Sequence, residues 1–145
     1  MTTENEIRAS LLLSRMPGLT QPQARALLQY YGTAEAAFAD EAPASELWAR
    51  VRREATELNS PIDRIDAELA FCAAHHIRVI PLSSDEYPRL LRAETVSHPP
   101  LNLFSPGTGT LDRRHILTIV GTPHTTASAQ ENTETPLTTP ARRPP

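Results

Sequence analysis

The chain has 145 residues, 39% of them hydrophobic, and a formal net charge of -3. This composition excludes a wholly disordered chain, and the charge argues against a strongly basic protein that coats nucleic acid, although it leaves room for a local basic patch. All 14 basic residues are arginine. Arginine suits phosphate recognition, but coding bias in a GC-rich genome explains the same composition at least as well.

Two features predict a cytoplasmic protein. Cys72 is the only cysteine, which excludes an internal disulfide and a cysteine-based metal cluster and fits a reducing compartment. Residues 1–8 are polar and acidic, unlike a secretory signal. No apolar run approaches the roughly 20 residues that span a bilayer, so we expect no membrane association.

The first half of the chain is predicted to be all helical, because apolar residues recur at intervals of three and four between proline and glycine breaks. The first helix has Ile7, Leu11 and Leu12 on one face and ends near Arg15. The second is capped by Thr20, has Pro22 in its first turn and is closed by Gly32. Three more follow: a short helix at 33–38, with Ala34, Ala37 and Phe38 facing the core; one after Ser45 with buried Leu47, Val51, Ala55 and Leu58; and one from Ser60 to His76 with buried Ile62, Ile65, Leu69 and Cys72.

The pattern changes at Arg78, where the hydrophobic runs become short and rich in β-branched residues. Strands are predicted at 79–82, 101–104 and 116–120, with a helical turn around Tyr87-Pro88. We therefore expect an α/β protein with a helical domain at 1–76 and the opening strands of an incomplete α/β domain at 77–122. Residues 123–145 contain one aliphatic residue larger than alanine, Leu137, and are expected to form a disordered tail.

The turn between the first two helices is a candidate nucleic-acid contact. Pro17-Gly18-Leu19 has the form of a helix-hairpin-helix, in which the backbone N–H groups of Gly18 and Leu19 and the next helix N-terminus can face a phosphate. Arg25 could add a charge contact. The alternative is that this helical pair serves only as a packing unit.

The remaining polar clusters point to no catalytic or metal site. Arg50, Arg52 and Arg53, with glutamates nearby, are more typical of a solvated helix face than of a nucleic-acid stripe. Cys72 is expected to be a small core residue. Gly121-Thr122 follows a predicted strand, but the G-x-G-x-x-G pattern is absent, so we expect no dinucleotide cofactor. No catalytic constellation is present, and we expect neither an enzyme nor a metal site.

Four stretches, taken together in this order and spacing, resemble the DNA processing protein A family (DprA, also called Smf). They cover about the first 122 residues: 11–32, with Pro-Gly-Leu and Ala-Arg-x-Leu-Leu-x-x-Tyr-Gly; 77–91, with Ile-Arg-Val-Ile-Pro-Leu followed by Asp-Glu-Tyr-Pro and Leu-Leu; 99–107, with Pro-Pro-Leu, Leu-Phe and Gly; and 113–122, which begins with Arg-Arg and ends in Ile-Val-Gly-Thr.

The resemblance implies a SAM-like helical domain followed by a Rossmann-like domain that binds single-stranded DNA, forms a homodimer and helps load the RecA recombinase during natural transformation. By this resemblance Gly121, Thr122 and His124 belong to a phosphate-binding turn. The chain departs from the family at Pro123, where an arginine is usual, since proline has neither charge nor backbone N–H. We therefore expect a truncated copy with weak DNA binding or none. The alternative is an independent helix-hairpin-helix module that binds duplex phosphates or a protein partner.

Overall fold

A computed structural model describes residues 2–57, 60–93 and 96–112, and all of them fall in one compact unit that ends at Asp112. The mixture of helices and strands confirms the general α/β class. The predicted buried position Leu58, the predicted strand at 116–120 and the expected disordered tail at 123–145 lie outside the described residues. The elements in chain order are α1 (Glu4–Ser14), α2 (Gln21–Tyr31), α3 (Ala34–Ala39), α4 (Glu46–Glu57), α5 (Ser60–Ala74), β1 (Ile77–Pro81), α6 (Arg89–Arg92) and β2 (Asn102–Pro106).

Capping interactions fix the ends of the first helices, and those at Thr20 and Gly32 lie where the sequence predicts them. The Thr3 hydroxyl accepts a hydrogen bond from the Glu6 N–H at 3.1 Å and caps α1. At the start of α2, the side-chain oxygen of Gln23 accepts from the Thr20 N–H at 2.9 Å. Gly32 ends α2 with φ of +81°, a conformation that favours glycine.

The hydrophobic core of the described residues has two clusters, and each combines helix residues with residues that follow position 76. In the first, Leu101 packs with residues of α1 to α4, including the fully buried Trp48 and Val51. In the second, Val79 of β1 packs against Leu11 and two residues of α5, Ile65 and Cys72. The portions on either side of residue 76 therefore share their core.

One predicted core position is wrong. Ile62 is 43% exposed, whereas Ile65 is 1% exposed. At 100° per residue, Ile65, Leu69 and Cys72 lie within a narrow sector of α5, and Ile62 falls roughly 55° from its centre. Ile62 therefore lies at the margin of the face that α5 turns toward α1 and β1.

The two strands form an antiparallel pair. Their register places Ile77 opposite Pro106, Val79 opposite Phe104 and Pro81 opposite Asn102. The Leu82 N–H donates to the Leu101 carbonyl at 2.8 Å and extends the ladder by one pair. Strand β1 begins two residues before the predicted strand at 79–82, and β2 starts one residue after the predicted one at 101–104.

A buried carboxylate joins α1, α3 and the turn after β1. The Glu6 side chain accepts from the Ala34 N–H at 3.0 Å, from the Glu35 N–H at 2.7 Å and from the Ser83 hydroxyl at 2.5 Å. Ala34 and Glu35 are the first two residues of α3, so Glu6 satisfies N–H groups that have no partner within the helix.

No helix in the described ranges is both long and apolar enough to cross a lipid bilayer.

Candidate nucleic-acid interface

The α1–α2 turn makes the tight bend that the sequence predicts, and the backbone N–H groups of Leu19 and Thr20 are engaged within the chain. Gly18 has φ of +77°. The Leu19 N–H donates to the Met16 carbonyl at 3.3 Å, and the Thr20 N–H donates to the Gln23 side chain at 2.9 Å. Leu19 also packs its side chain against the first core cluster. These contacts favour the packing interpretation of the hairpin, and phosphate binding by Gly18 and Leu19 stays a prediction.

Arg25 extends from α2 toward the segment that precedes β2. Its Nη1 donates to the Pro99 carbonyl at 3.5 Å, and its Nη2 lies 3.2 Å from Nδ1 of His98. Both contacts join positions more than 70 residues apart in the chain. The structure therefore places Arg25 in a site that the hairpin motif does not predict.

That site is a cleft of about 630 Å³ between α2 and the segments that flank α6. We call it the α2 cleft. Arg92, at the end of α6, also lines it; its Nη2 donates to the Leu82 carbonyl at 3.0 Å and to the Ser84 carbonyl, and its guanidinium lies 5.6 Å from the ring centroid of Tyr87. The lining residues are Pro22, Arg25, Leu28, Gln29, Gly32, Leu82, Arg92, Ala93, Val96, Ser97, His98 and Pro99.

The α2 cleft is positively charged as far as the structure describes it. Neither Arg25 nor Arg92 has a carboxylate oxygen within 4.0 Å among the described residues. Glu94 and Thr95, which follow Ala93 in the sequence, lie outside the described ranges. Five other arginines do pair with carboxylates: Arg8 with Asp66, Arg15 with Glu68, Arg50 with Glu54, Arg78 with Glu86 and Arg89 with Asp112.

Two of the three arginines of α4, Arg50 and Arg52, contact groups of the same chain. Arg50 lies 3.8 Å from Glu54 one turn later, and Arg52 donates to the Asp40 carbonyl while its guanidinium lies 6.0 Å from the Trp48 ring centroid. These contacts stabilise the α3–α4 connection. For Arg50 and Arg52 they agree with a surface role within the chain.

Tyr31 and Asp40 form a hydrogen-bonded pair beside α4. The Tyr31 hydroxyl donates to Oδ2 of Asp40 at 2.8 Å and accepts from the Ala44 N–H at 2.9 Å. The hydrogen bond from Tyr31, together with the Ala42 N–H and the nearby Arg52 charge, lowers the pKa of the Asp40 carboxyl. Partial burial and the same hydrogen bond raise the pKa of Tyr31. The pair fixes the loop after α3 and holds no reactive group.

Cys72 lies in the second core cluster and is 4% exposed. Burial and then the charge of Glu68 raise the pKa of its thiol, which disfavours the nucleophilic thiolate. Across the part of the chain that is described, no group of three histidine, cysteine, aspartate or glutamate side chains has the arrangement of a metal site.

Sequence reasoning identified some of these positions and missed others. Gly121, Thr122 and His124 lie outside the described residues, so their predicted contact with nucleic acid stays a prediction. Arg25 was singled out, but Arg92 and His98 were not. A sequence signal for them is lacking, because only the fold brings them next to α2.

No protein-family model, no curated protein and no solved structure matches this chain. The resemblance to DNA processing protein A therefore depends on the residues quoted for it above.

Proposed function

We propose that this chain is a single-stranded-DNA-binding protein of the DNA processing protein A type. One observation carries the proposal: three of the stretches that resemble this family meet in space. Leu28 and Leu101 belong to the same core cluster, with Leu82 packed against it. Arg25 donates to the Pro99 carbonyl at 3.5 Å, and the Tyr87 hydroxyl donates to the Pro100 carbonyl at 2.8 Å.

This convergence supports the resemblance to the family because the separate motifs pack against one another in one part of the fold. Each stretch alone is short and unspecific. Tyr87 is completely buried, and its hydroxyl donates to the carbonyl of Pro100, the second of the two prolines, so the Tyr-Pro and Pro-Pro-Leu motifs contact each other directly. Mutual packing of this kind is what one inherited fold would produce.

The proposed activity is sequence-independent binding to the phosphates of a single strand, in support of RecA loading and homologous recombination during natural transformation. Arginine guanidinium groups recognise phosphate oxygens through paired N–H donors. The arginines of the α2 cleft are suited to this contact, whereas Pro123 removes a donor and a charge from the predicted phosphate-binding turn. We therefore expect weak affinity, with a Kd of about 1 µM or weaker at 0.15 M salt.

The proposal is tested by fluorescence anisotropy of a labelled 20-nucleotide oligo-dT titrated with the full chain at several NaCl concentrations. We expect saturable binding that weakens as salt rises, and weaker binding to a 20-base-pair duplex. Absence of binding up to about 100 µM protein would contradict the proposal. A preference for duplex that is lost in Gly18→Val would favour the helix-hairpin-helix alternative.

The partner assignments need a separate measurement. Purified RecA, immobilised and exposed to the chain with and without oligo-dT, should retain it in a saturable manner if the family role holds. Sedimentation equilibrium of the chain alone tests the homodimer. Failure of either experiment would restrict the proposal to DNA binding.

A further inference from the structure

The two arginines of the α2 cleft retain donors for a ligand. A guanidinium carries five N–H donors. Arg25 engages one N–H of each terminal nitrogen, at 3.5 Å to Pro99 and 3.2 Å to His98, and Arg92 engages only Nη2. Within the described ranges, Nε of both residues and Nη1 of Arg92 have no hydrogen-bond acceptor in the chain.

The surroundings of these donors strengthen their attraction for an anion. Leu28, Leu82 and Val96 contribute apolar walls to the cleft. Charge interactions are stronger beside apolar walls than in bulk water, because fewer water molecules screen them. His98 lies against Arg25 and restricts where its guanidinium points.

We propose that the α2 cleft binds a phosphate oxyanion, with Arg25 and Arg92 as the two contacting groups and His98 as a positioning residue for Arg25. In the context of the function proposed above, the oxyanion is a phosphodiester of single-stranded DNA. The identity of the ligand rests on that function, whereas the existence of an oxyanion site rests on the cleft alone. The site is distinct in sequence from the predicted turn at Gly121-Thr122.

Inorganic phosphate is the first probe, because it contains the shared chemistry without the strand. The chain, labelled with ¹⁵N, is titrated with phosphate up to about 20 mM at constant ionic strength, so that general screening does not change. The Nε–Hε resonances of the arginines are followed, and Arg25→Gln and Arg92→Gln assign their two peaks. Arg64, which is exposed on α5 and has no carboxylate within 4.0 Å among the described residues, is the internal control.

We expect the resonances of Arg25 and Arg92 to move at least threefold further than that of Arg64 and to saturate together. Equal, non-saturating movement of all three would overturn the oxyanion site. Emission of Trp48, which is buried in the first core cluster, reports whether each variant is folded.

Oligo-dT is the second probe and separates the site from the function. Arg25→Gln should weaken binding of the 20-nucleotide strand about tenfold and reduce the slope of log K against log salt by about 0.7, the value for one lost phosphate contact. Arg64→Gln should change the affinity less than twofold. If Arg25→Gln binds as well as the wild type, the assignment of DNA to the cleft is wrong. If phosphate binds at the cleft and oligo-dT does not bind the wild type, the oxyanion site stands and the proposed function fails.

Discussion

Replacing Glu6 with alanine should destabilise the fold more than any other substitution of a charged residue in the first half of the described chain. Glu6 is only 4% exposed, and its carboxylate is the acceptor for Ala34, Glu35 and Ser83. The N–H of Ala34 belongs to a completely buried residue, so water cannot replace the lost acceptor. An orphaned buried donor costs about 2 kcal/mol, and the two more accessible donors cost about 0.5 kcal/mol each. The expected loss is therefore about 3 kcal/mol.

Urea unfolding followed by circular dichroism and by Trp48 fluorescence measures this loss. Trp48 is 1% exposed and donates from Nε1 to the Ala37 carbonyl at 3.1 Å, so its emission changes when α3 and α4 separate. Thermal unfolding should show a decrease in Tm of roughly 12 to 24 °C for a unit of this size.

The matched control is Glu35→Ala, in the first turn of the same helix. Glu35 is exposed, and its carboxylate accepts only from Thr3 at 3.1 Å and Asn5 at 3.4 Å, so a loss of about 0.5 kcal/mol is expected. Glu6→Gln keeps one acceptor oxygen, but its amide NH₂ group then faces another hydrogen-bond donor. The free energy of unfolding should therefore decrease by an intermediate amount. If the free energy of unfolding of Glu6→Ala lies within about 0.5 kcal/mol of the wild-type value, the Glu6 contacts do not hold α3 in place.

Three further substitutions or treatments test other parts of the structure. Tyr31→Phe should destabilise the fold at neutral pH and less so in acid. The hydrogen bond from Tyr31 helps to lower the pKa of the Asp40 carboxyl below its ordinary value of 3.8. The carboxylate therefore stabilises the fold above pH 3.8, and this contribution is lost as pH falls through the lowered pKa. A difference between variant and wild type that is the same at pH 3 and pH 7 would contradict this. Cys72 should react with a thiol reagent at pH 8 far more slowly in the folded protein than in urea, since it is buried and its thiol pKa is raised; equal rates would show that it is accessible. Gly32→Ala should cost about 1 to 2 kcal/mol because of its φ of +81°, measured by urea unfolding, with Gly109→Ala as a control that should cost little; similar losses in both would remove the conformational argument.

In the α2 cleft, Arg25 makes contacts that its sequence motif did not predict. Arg25 was identified through its place in a helix-hairpin-helix pattern, whereas its contacts are with His98 and Pro99. The hairpin itself keeps the predicted bend at Gly18. The bend was therefore predicted from the sequence, whereas the contacts of Arg25 with His98 and Pro99 were not.

The sequence by itself determined the helices of the first half, because their ends depend on nearby residues: Thr3 and Thr20 begin helices and Gly32 ends one. It also indicated the positions of the two described strands within two residues. Only the tertiary structure decided that these strands are antiparallel and that Glu6 caps α3 from another helix. It likewise decided that Arg25, Arg92 and His98 line one cleft. Such contacts join residues far apart in the chain, and their geometry depends on how several elements pack at once, which the spacing of residues along a sequence does not contain.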